Sequence, residues 1–210
     1  MERKEKRWGK SWLLSLMMAI LIPLCLPQSA KAAEPLEQVK KILNAISAIL
    51  SDPGLQGPEK ESERKQKVRR VIYEAFDFEE MAKESLGTHW SKLTLQQRRE
   101  FVELFGDLFE RSYNRLVLKL LPERETVYGT ETVEKDRAIV KTTLVSKKNE
   151  QLPVDYRMIS NGSTWEFFDV VVDEVSLAAN YRAKFNKIIR TSSYESLVRK
   201  MKLKQEEESF

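Results

Sequence analysis

Cysteine and histidine are almost missing from this sequence. Among 210 residues there is one of each, Cys25 and His89. A lone cysteine closes no intramolecular disulfide, and it cannot build a zinc site that draws on several thiolates. His89 sits between Gly87 and Trp90 with no partner motif around it, which reads as a turn or surface histidine and not as a base. There is no G-x-S-x-G elbow, no H-E-x-x-H and no G-x-x-x-x-G-K-S/T phosphate loop. A metal would have to be held by carboxylates alone, and no calcium-loop spacing appears. No catalytic residue, metal or cofactor is expected, and the chain is read as something other than an enzyme.

An excess of positive charge is also missing once the N-terminus is set aside. Met1 to Lys10 carries five Lys/Arg against Glu2 and Glu5; an apolar run from Trp12 to Leu26 follows, broken by Pro23, and then Ala30-Lys31-Ala32. A basic start, a short apolar core and an A-x-A site describe a cleavable secretory signal. The run falls short of the roughly 20 residues that a comfortable membrane span needs. Leu24, before Cys25, is not the small residue that lipoprotein processing takes, and the absence of an Arg-Arg pair favours the general export route. Residues 1–32 are therefore expected to be removed, and Cys25 leaves with them. Thirty basic and thirty acidic residues remain. The basic character of the whole chain, with a pI near 9.0, belongs to the export signal and lends no support to a nucleic-acid partner.

The rest suits one domain with a real core. Leu36, Val39, Ile42/Leu43, Ile46 and Ile49/Leu50 recur at helical spacing. After the turn Asp52–Pro58, a helix from about Glu59 to Tyr73 has its acids early and its bases late, which suits the helix dipole. Asp77 can cap a short helix that Gly87 stops. Thr94 and Gln97 fit a capping box at the head of the longest helix, which Pro122 ends. The period then changes to two. Val127–Glu131, Ala138–Val145, Leu152–Met158 and Trp165–Val172 read as strands with short connections, Asn161-Gly162 among them. Such short links demand antiparallel pairing. Two helices, around Leu177–Ile189 and Tyr194–Met201, close the chain before a charged tail, 202–210. The expected fold is α+β: a single domain, 33–201, with an antiparallel sheet of about four strands packed against several helices.

Three features invite a functional reading beside a structural one. Asp169 and Asp173 stand at alternate positions of one strand and share a face; they could do acid–base work, or lie at the sheet rim and satisfy backbone groups. The basic run Arg64–Arg70 could dock on acidic headgroups or be a solvated helix face. The stripe Phe101, Phe105 and Phe109 is either core or ligand contact.

The ordered segments of the chain also resemble a known family. They are Phe76-Asp77-Phe78 through Met81-Ala82 to Leu86-Gly87 and Trp90; Leu93-Thr94 with Gln97-Arg98, Phe101 and Tyr113; Trp165-Glu166-Phe167-Phe168-Asp169-Val170; and Val175-Ser176-Leu177 with Asn180-Tyr181-Arg182 and Phe185. Together, over about residues 36–201, they resemble the Mla-type periplasmic phospholipid carriers, also called the toluene-tolerance auxiliary component family. Glu174 replaces a glycine usual there before Val-Ser-Leu, and Thr191-Ser192-Ser193 replaces another after the penultimate helix. The resemblance implies a periplasmic, non-enzymatic carrier whose sheet and helices enclose an apolar cavity for acyl chains. Its partners would be a phospholipid ligand, the substrate-binding ring of an inner-membrane ABC transporter and an outer-membrane lipoprotein complex. Its role would be outer-membrane lipid asymmetry.

Elementary energetics agree with that expectation. Each CH₂ kept from water is worth about 0.8 kcal/mol, so a sixteen-carbon chain left wet costs roughly a dozen kcal/mol. The candidate lipid-lining residues are Phe105, Leu108, Phe109, Leu116, Val117, Leu120, Val140, Leu144, Val154, Tyr156, Trp165 and Phe167. A small periplasmic enzyme using Asp169 or Asp173, which predicts a carboxylate of raised pKa deep in the cavity, stays as an alternative. So does an envelope interaction module with a solid core. No heptad or long apolar edge calls for a second copy, and a monomer is expected. On export from a bacterial host, N-terminal sequencing should find Ala33 first; a product still starting at Met1 would refute the cleaved signal.

Overall fold

The computed structural model describes residues 34–207. The expected signal segment, 1–32, lies outside the described residues. Among the described residues six α-helices and five strands follow one another as α1 (Pro35–Ser51), α2 (Glu61–Ala75), α3 (Phe78–Leu86), α4 (Leu95–Leu120), β1 (Arg124–Glu134), β2 (Arg137–Ser146), β3 (Gln151–Ser160), β4 (Trp165–Val172), β5 (Val175–Ser176), α5 (Leu177–Thr191) and α6 (Tyr194–Glu207).

The helix boundaries follow from local chemistry. Pro35 occupies the first turn of α1, where its missing N–H is no loss, and Val39, Ile42, Leu43 and Ile46 form the buried face. The Asp77 carboxylate accepts from the Glu80 N–H at 2.8 Å and starts α3. Gly87, at φ +54, ends it in a conformation that side chains rarely adopt. Thr94 and Gln97 close the expected capping box: the Gln97 N–H donates to Thr94 Oγ1 at 3.2 Å, and the Thr94 N–H donates to Gln97 Oε1 at 2.9 Å. From that cap α4 runs for 26 residues, about 39 Å at 1.5 Å per residue. The stretch 202–207, expected as part of a charged tail, is helical in α6. There Lys202 pairs with Glu100 at 2.6 Å, and Gln205 donates to Asp107 of α4.

The sheet is an antiparallel meander in the order β1-β2-β3-β4-β5. It has one strand more than expected, because Val175 and Ser176 turn back along Val171 and Val172. Two residues carry too little period-two signal to be read as a strand. Ala138, Val140, Thr142 and Leu144 of β2, Val154, Tyr156 and Met158 of β3, and Phe167 and Val170 of β4 bury one face. The ladder slips at Tyr128/Glu131, beside Gly129, and again at Arg157/Met158.

The segments that carry the family resemblance meet at one end of this sheet. Phe76 bridges to Phe167 of β4, and the Asp77 N–H donates to the Phe167 carbonyl at 2.9 Å. Arg182 of α5 reaches both the backbone and the carboxylate of Glu84 on α3. These motifs fasten α3, α5 and β4 together.

Of the two family departures, only one strains the backbone. Glu174 lies at φ +64, next to Asp173 at φ +48, in the turn between β4 and β5. Ser192 closes α5 at φ −139 and needs no glycine. A left-handed non-glycine residue costs roughly 1–2 kcal/mol, and the extra unfolded-state freedom of glycine returns roughly 0.5–1 kcal/mol of that. Glu174→Gly should therefore raise stability by about 0.5–1 kcal/mol, seen as a higher urea midpoint with an unchanged m-value.

Candidate apolar binding site

The stretch of α4 from Phe101 to Phe109 is filled core. Phe101, Phe105 and Phe109 are buried to within 1 % and succeed one another at centroid distances of 5.8 and 6.2 Å. Phe185 meets Phe101 and Phe105 edge-on, and Tyr181 meets Phe105 likewise. Such aromatic pairs add roughly 0.5–1.5 kcal/mol each to the burial itself.

The C-terminal half of α4 is different. Between it and β2, β3 and β4 lies a cavity of about 20 Å³, walled by Tyr113, Leu116, Val117, Leu120, Leu121, Leu144, Val154, Tyr156, Val170 and Val172. That is room for one or two waters. Its walls are aliphatic except for two phenols. Burial pushes both Tyr113 and Tyr156 well above the usual tyrosine range, and the two side chains interact with each other. Neutral at any physiological pH, they bring no charge to the cavity. Leu116, Leu120 and Leu121 are half-buried, so the rim of this apolar seam reaches solvent.

The structure thus brings six of the twelve candidate residues to the cavity: Leu116, Val117, Leu120, Leu144, Val154 and Tyr156. Phe105, Phe109, Val140, Trp165 and Phe167 are packed core away from it, and Leu108 is half-buried on another face of α4. Tyr113, Leu121, Val170 and Val172 complete the walls. Helical spacing from Val117 points to Tyr113 and Leu121; Val170 and Val172 share the inner face of β4.

Asp169 and Asp173 do not form a pair. β4 ends at Val172, and Asp173 is exposed in the turn. Asp169 is buried but fully engaged: one oxygen accepts from the Ala178 N–H at 3.0 Å, the other from Ser176 Oγ at 2.6 Å and Arg157 at 3.2 Å. It closes the start of α5. His89 bonds Asn186 of α5 at 2.9 Å. Among the described residues no cluster of three or more His, Cys, Asp or Glu could hold a metal, and no helix is long and apolar enough to cross a membrane.

The buried carboxylate of raised pKa is Glu110 of α4, which no sequence motif singles out. It is 2 % exposed. It accepts from Asn114 Nδ2 at 3.0 Å and pairs with Arg69 Nε at 3.3 Å. Burial outweighs these partners and pushes its carboxyl above the usual range. It faces away from the apolar cavity, into an open groove of about 1260 Å³ between α2 and α4.

A small α+β domain with an apolar seam under its longest helix has the build of a binding domain. The model of the MlaC protein family matches residues 40–203, and the chain belongs to that family. Among solved structures, it resembles a phospholipid-binding protein from Ralstonia solanacearum, determined in complex with a phospholipid. The TM-score is 0.70 at 21 % identity, covering 85 % of this chain and all of the other. No curated sequence matches.

Glu110 gives the stability a pH signature. A carboxyl whose folded pKa is raised contributes most below its unfolded value, near 4.5, and that contribution is lost as pH rises through the folded value. Glu110→Gln removes the cost of the buried charge and offers Asn114 Oδ1, which has no donor, an N–H. The variant should melt higher than the parent at pH 7, and the two curves should converge towards pH 4; equal melting temperatures at both pH values would refute this assignment.

Proposed function

We propose that the mature chain is a periplasmic phospholipid carrier. It would work as a monomer and pass lipid between an outer-membrane lipoprotein complex and the substrate-binding ring of an inner-membrane ABC transporter, in the service of outer-membrane lipid asymmetry. The observation that carries this reading is the apolar seam between α4 and the sheet in a chain of the MlaC family. The phospholipid bound to the Ralstonia protein of the same fold supports it.

The mechanism is transfer without bond chemistry. A cavity of about 20 Å³ does not hold an acyl chain, so lipid enters by parting the last turns of α4 from β2–β4. Leu116, Val117, Leu120, Leu144, Val154 and Tyr156, with Tyr113, Leu121, Val170 and Val172, then form the walls. Phe105, Leu108, Phe109, Val140, Trp165 and Phe167 back that surface and hold the other half of α4 in place. Each CH₂ that enters recovers about 0.8 kcal/mol against water, which offsets the cost of opening the seam.

Native mass spectrometry of the mature protein, purified from a periplasm without detergent and followed by lipid extraction, tests the reading. Stoichiometric phospholipid is expected. Leu144→Trp, which fills the cavity at an overpacking cost of roughly 1–3 kcal/mol, should reduce bound lipid at least tenfold while unfolding stays cooperative. Protein that arrives without lipid and extracts none from vesicles would sink the carrier.

A further inference from the structure

The β3–β4 hairpin carries chemistry that lipid carriage does not use. Its turn is Asn161-Gly162-Ser163-Thr164, between Ser160 of β3 and Trp165 of β4. As a sequence, Asn161-Gly162 signals the turn and nothing more. The chain has six asparagines, and only Asn161 precedes a glycine. Asn44, Asn114, Asn180 and Asn186 lie in helices, and Asn149 lies in the β2–β3 turn before Glu150.

Two groups that can react with each other are neighbours in the β3–β4 turn. The Asn161 carboxamide is an electrophile, and the Gly162 backbone nitrogen is a nucleophile. Their place on adjacent residues makes the encounter unimolecular. Glycine leaves that nitrogen uncrowded: Gly162 stands at φ +92, and no atom beyond its chain neighbours lies within 4 Å of where a Cβ would be. The hydrogen bonds of the turn act on both partners. Asn161 Oδ1 accepts from the Ser163 N–H at 3.0 Å, from Ser163 Oγ at 2.9 Å and from the Thr164 N–H at 3.0 Å. Three donors on one carbonyl oxygen stabilise the negative charge it takes up when a nucleophile adds to Cγ, as an oxyanion hole does. The Gly162 N–H donates to Ser160 Oγ at 3.1 Å, which is within the reach needed to relay a proton. Asn161, Gly162 and Ser163 are exposed, so water reaches the turn.

We propose that this turn is a site of self-modification, at which the folded chain converts Asn161 to aspartate and isoaspartate. The Gly162 nitrogen bonds to Cγ of Asn161, the Cγ–Nδ2 bond breaks, and the Gly162 proton departs with Nδ2 as ammonia. Water then opens the cyclic imide. Cleavage between Cγ and the Gly162 nitrogen gives aspartate; cleavage between the Asn161 main-chain carbonyl carbon and that nitrogen gives isoaspartate. In sum one water is consumed and one ammonia released, and no bond is oxidised or reduced. Either product adds a negative charge to the turn. That charge stands beside Glu166, whose carboxyl burial and Asp77 already hold above the usual range while the Asn161 amide lowers it. This chemistry needs neither the apolar seam nor a lipid.

Incubation of the purified mature protein at mildly alkaline pH tests it. A species one charge more acidic should accumulate on anion exchange. Peptide mapping should place the change at Asn161, with Asn149, the other exposed turn asparagine, at least tenfold slower. Gly162→Ala should slow the reaction at least tenfold with an unchanged circular dichroism spectrum. Ser163→Ala removes one donor from Oδ1 and should slow it at least twofold. An Asn161 that stays intact, a rate no greater than that of Asn149, or a Gly162→Ala variant that reacts like the parent overturns the proposal. So does a Ser163→Ala variant that reacts as fast as the parent or faster, because the bonds to Oδ1 would then be inert or would shield the amide.

Discussion

The packing of α4 against the sheet is the interaction on which the rest of the molecule depends. The helix runs for 26 residues, and its beginning and its end are built from different residues. The first half presents rings, interlocked with those of α5 and with Phe76 and Phe78. Rings of fixed shape at this density leave no slack. The second half presents Leu116, Val117, Leu120 and Leu121 to valines and leucines of the sheet, and that is where the packing leaves space. One helix thus combines a clamped end with an end whose packing leaves space.

In the proposed carrier, that division would reconcile an expandable pocket with a stable fold. Folded domains are stable by only about 5–15 kcal/mol, so a large permanent apolar void would remove much of the margin. A seam that closes on itself without lipid avoids that cost. In the proposed carrier, acyl chains entering the seam would let the aliphatic side chains of α4 and the sheet exchange one another's methyl and methylene groups for those of the ligand, which attract them equally well. The aromatic end keeps register throughout, because Phe105 and Phe109 do not border the cavity.

Legibility follows the strength of local chemistry. The capping box at Thr94 and Gln97, the Asp77 cap, the stop at Gly87 and the alternation in β2 and β3 each rest on short-range rules, and all of them stand in the structure. Leu116, Val117, Leu120, Leu144, Val154 and Tyr156, which line the cavity, are legible as inward-facing residues because they lie on the inner faces of their elements. Inner faces alone do not separate a cavity from a core, and for that reason the same pattern also selects Phe105, Phe109, Val140, Trp165 and Phe167. Which apolar pair leaves a gap is decided by three-dimensional packing between elements far apart in sequence. Alternation puts Asp173 on one strand face with Asp169 on paper, whereas β4 ends at Val172, as expected, and a left-handed turn carries Asp173 away. The ordered motifs that mark the family stitch α3, α5 and β4 together, so they speak to the fold and leave the walls of the cavity to interchangeable aliphatics.

The two buried carboxylates show how similar groups can have opposite meanings. Asp169 collects a backbone N–H, a serine hydroxyl and an arginine. With its charge so well matched by donors, it belongs to the scaffold, fixing the start of α5 against β4. Glu110 has a single amide and an arginine shared with Asp107, and beside it Asn114 keeps an oxygen without a donor. A polar group left short of partners in a packed helix pair is costly unless something else completes it. Around Asp169 the protein completes the set itself. Around Glu110 and Asn114 the set is incomplete among the described residues, and it borders the groove lined by Arg115 and Lys119.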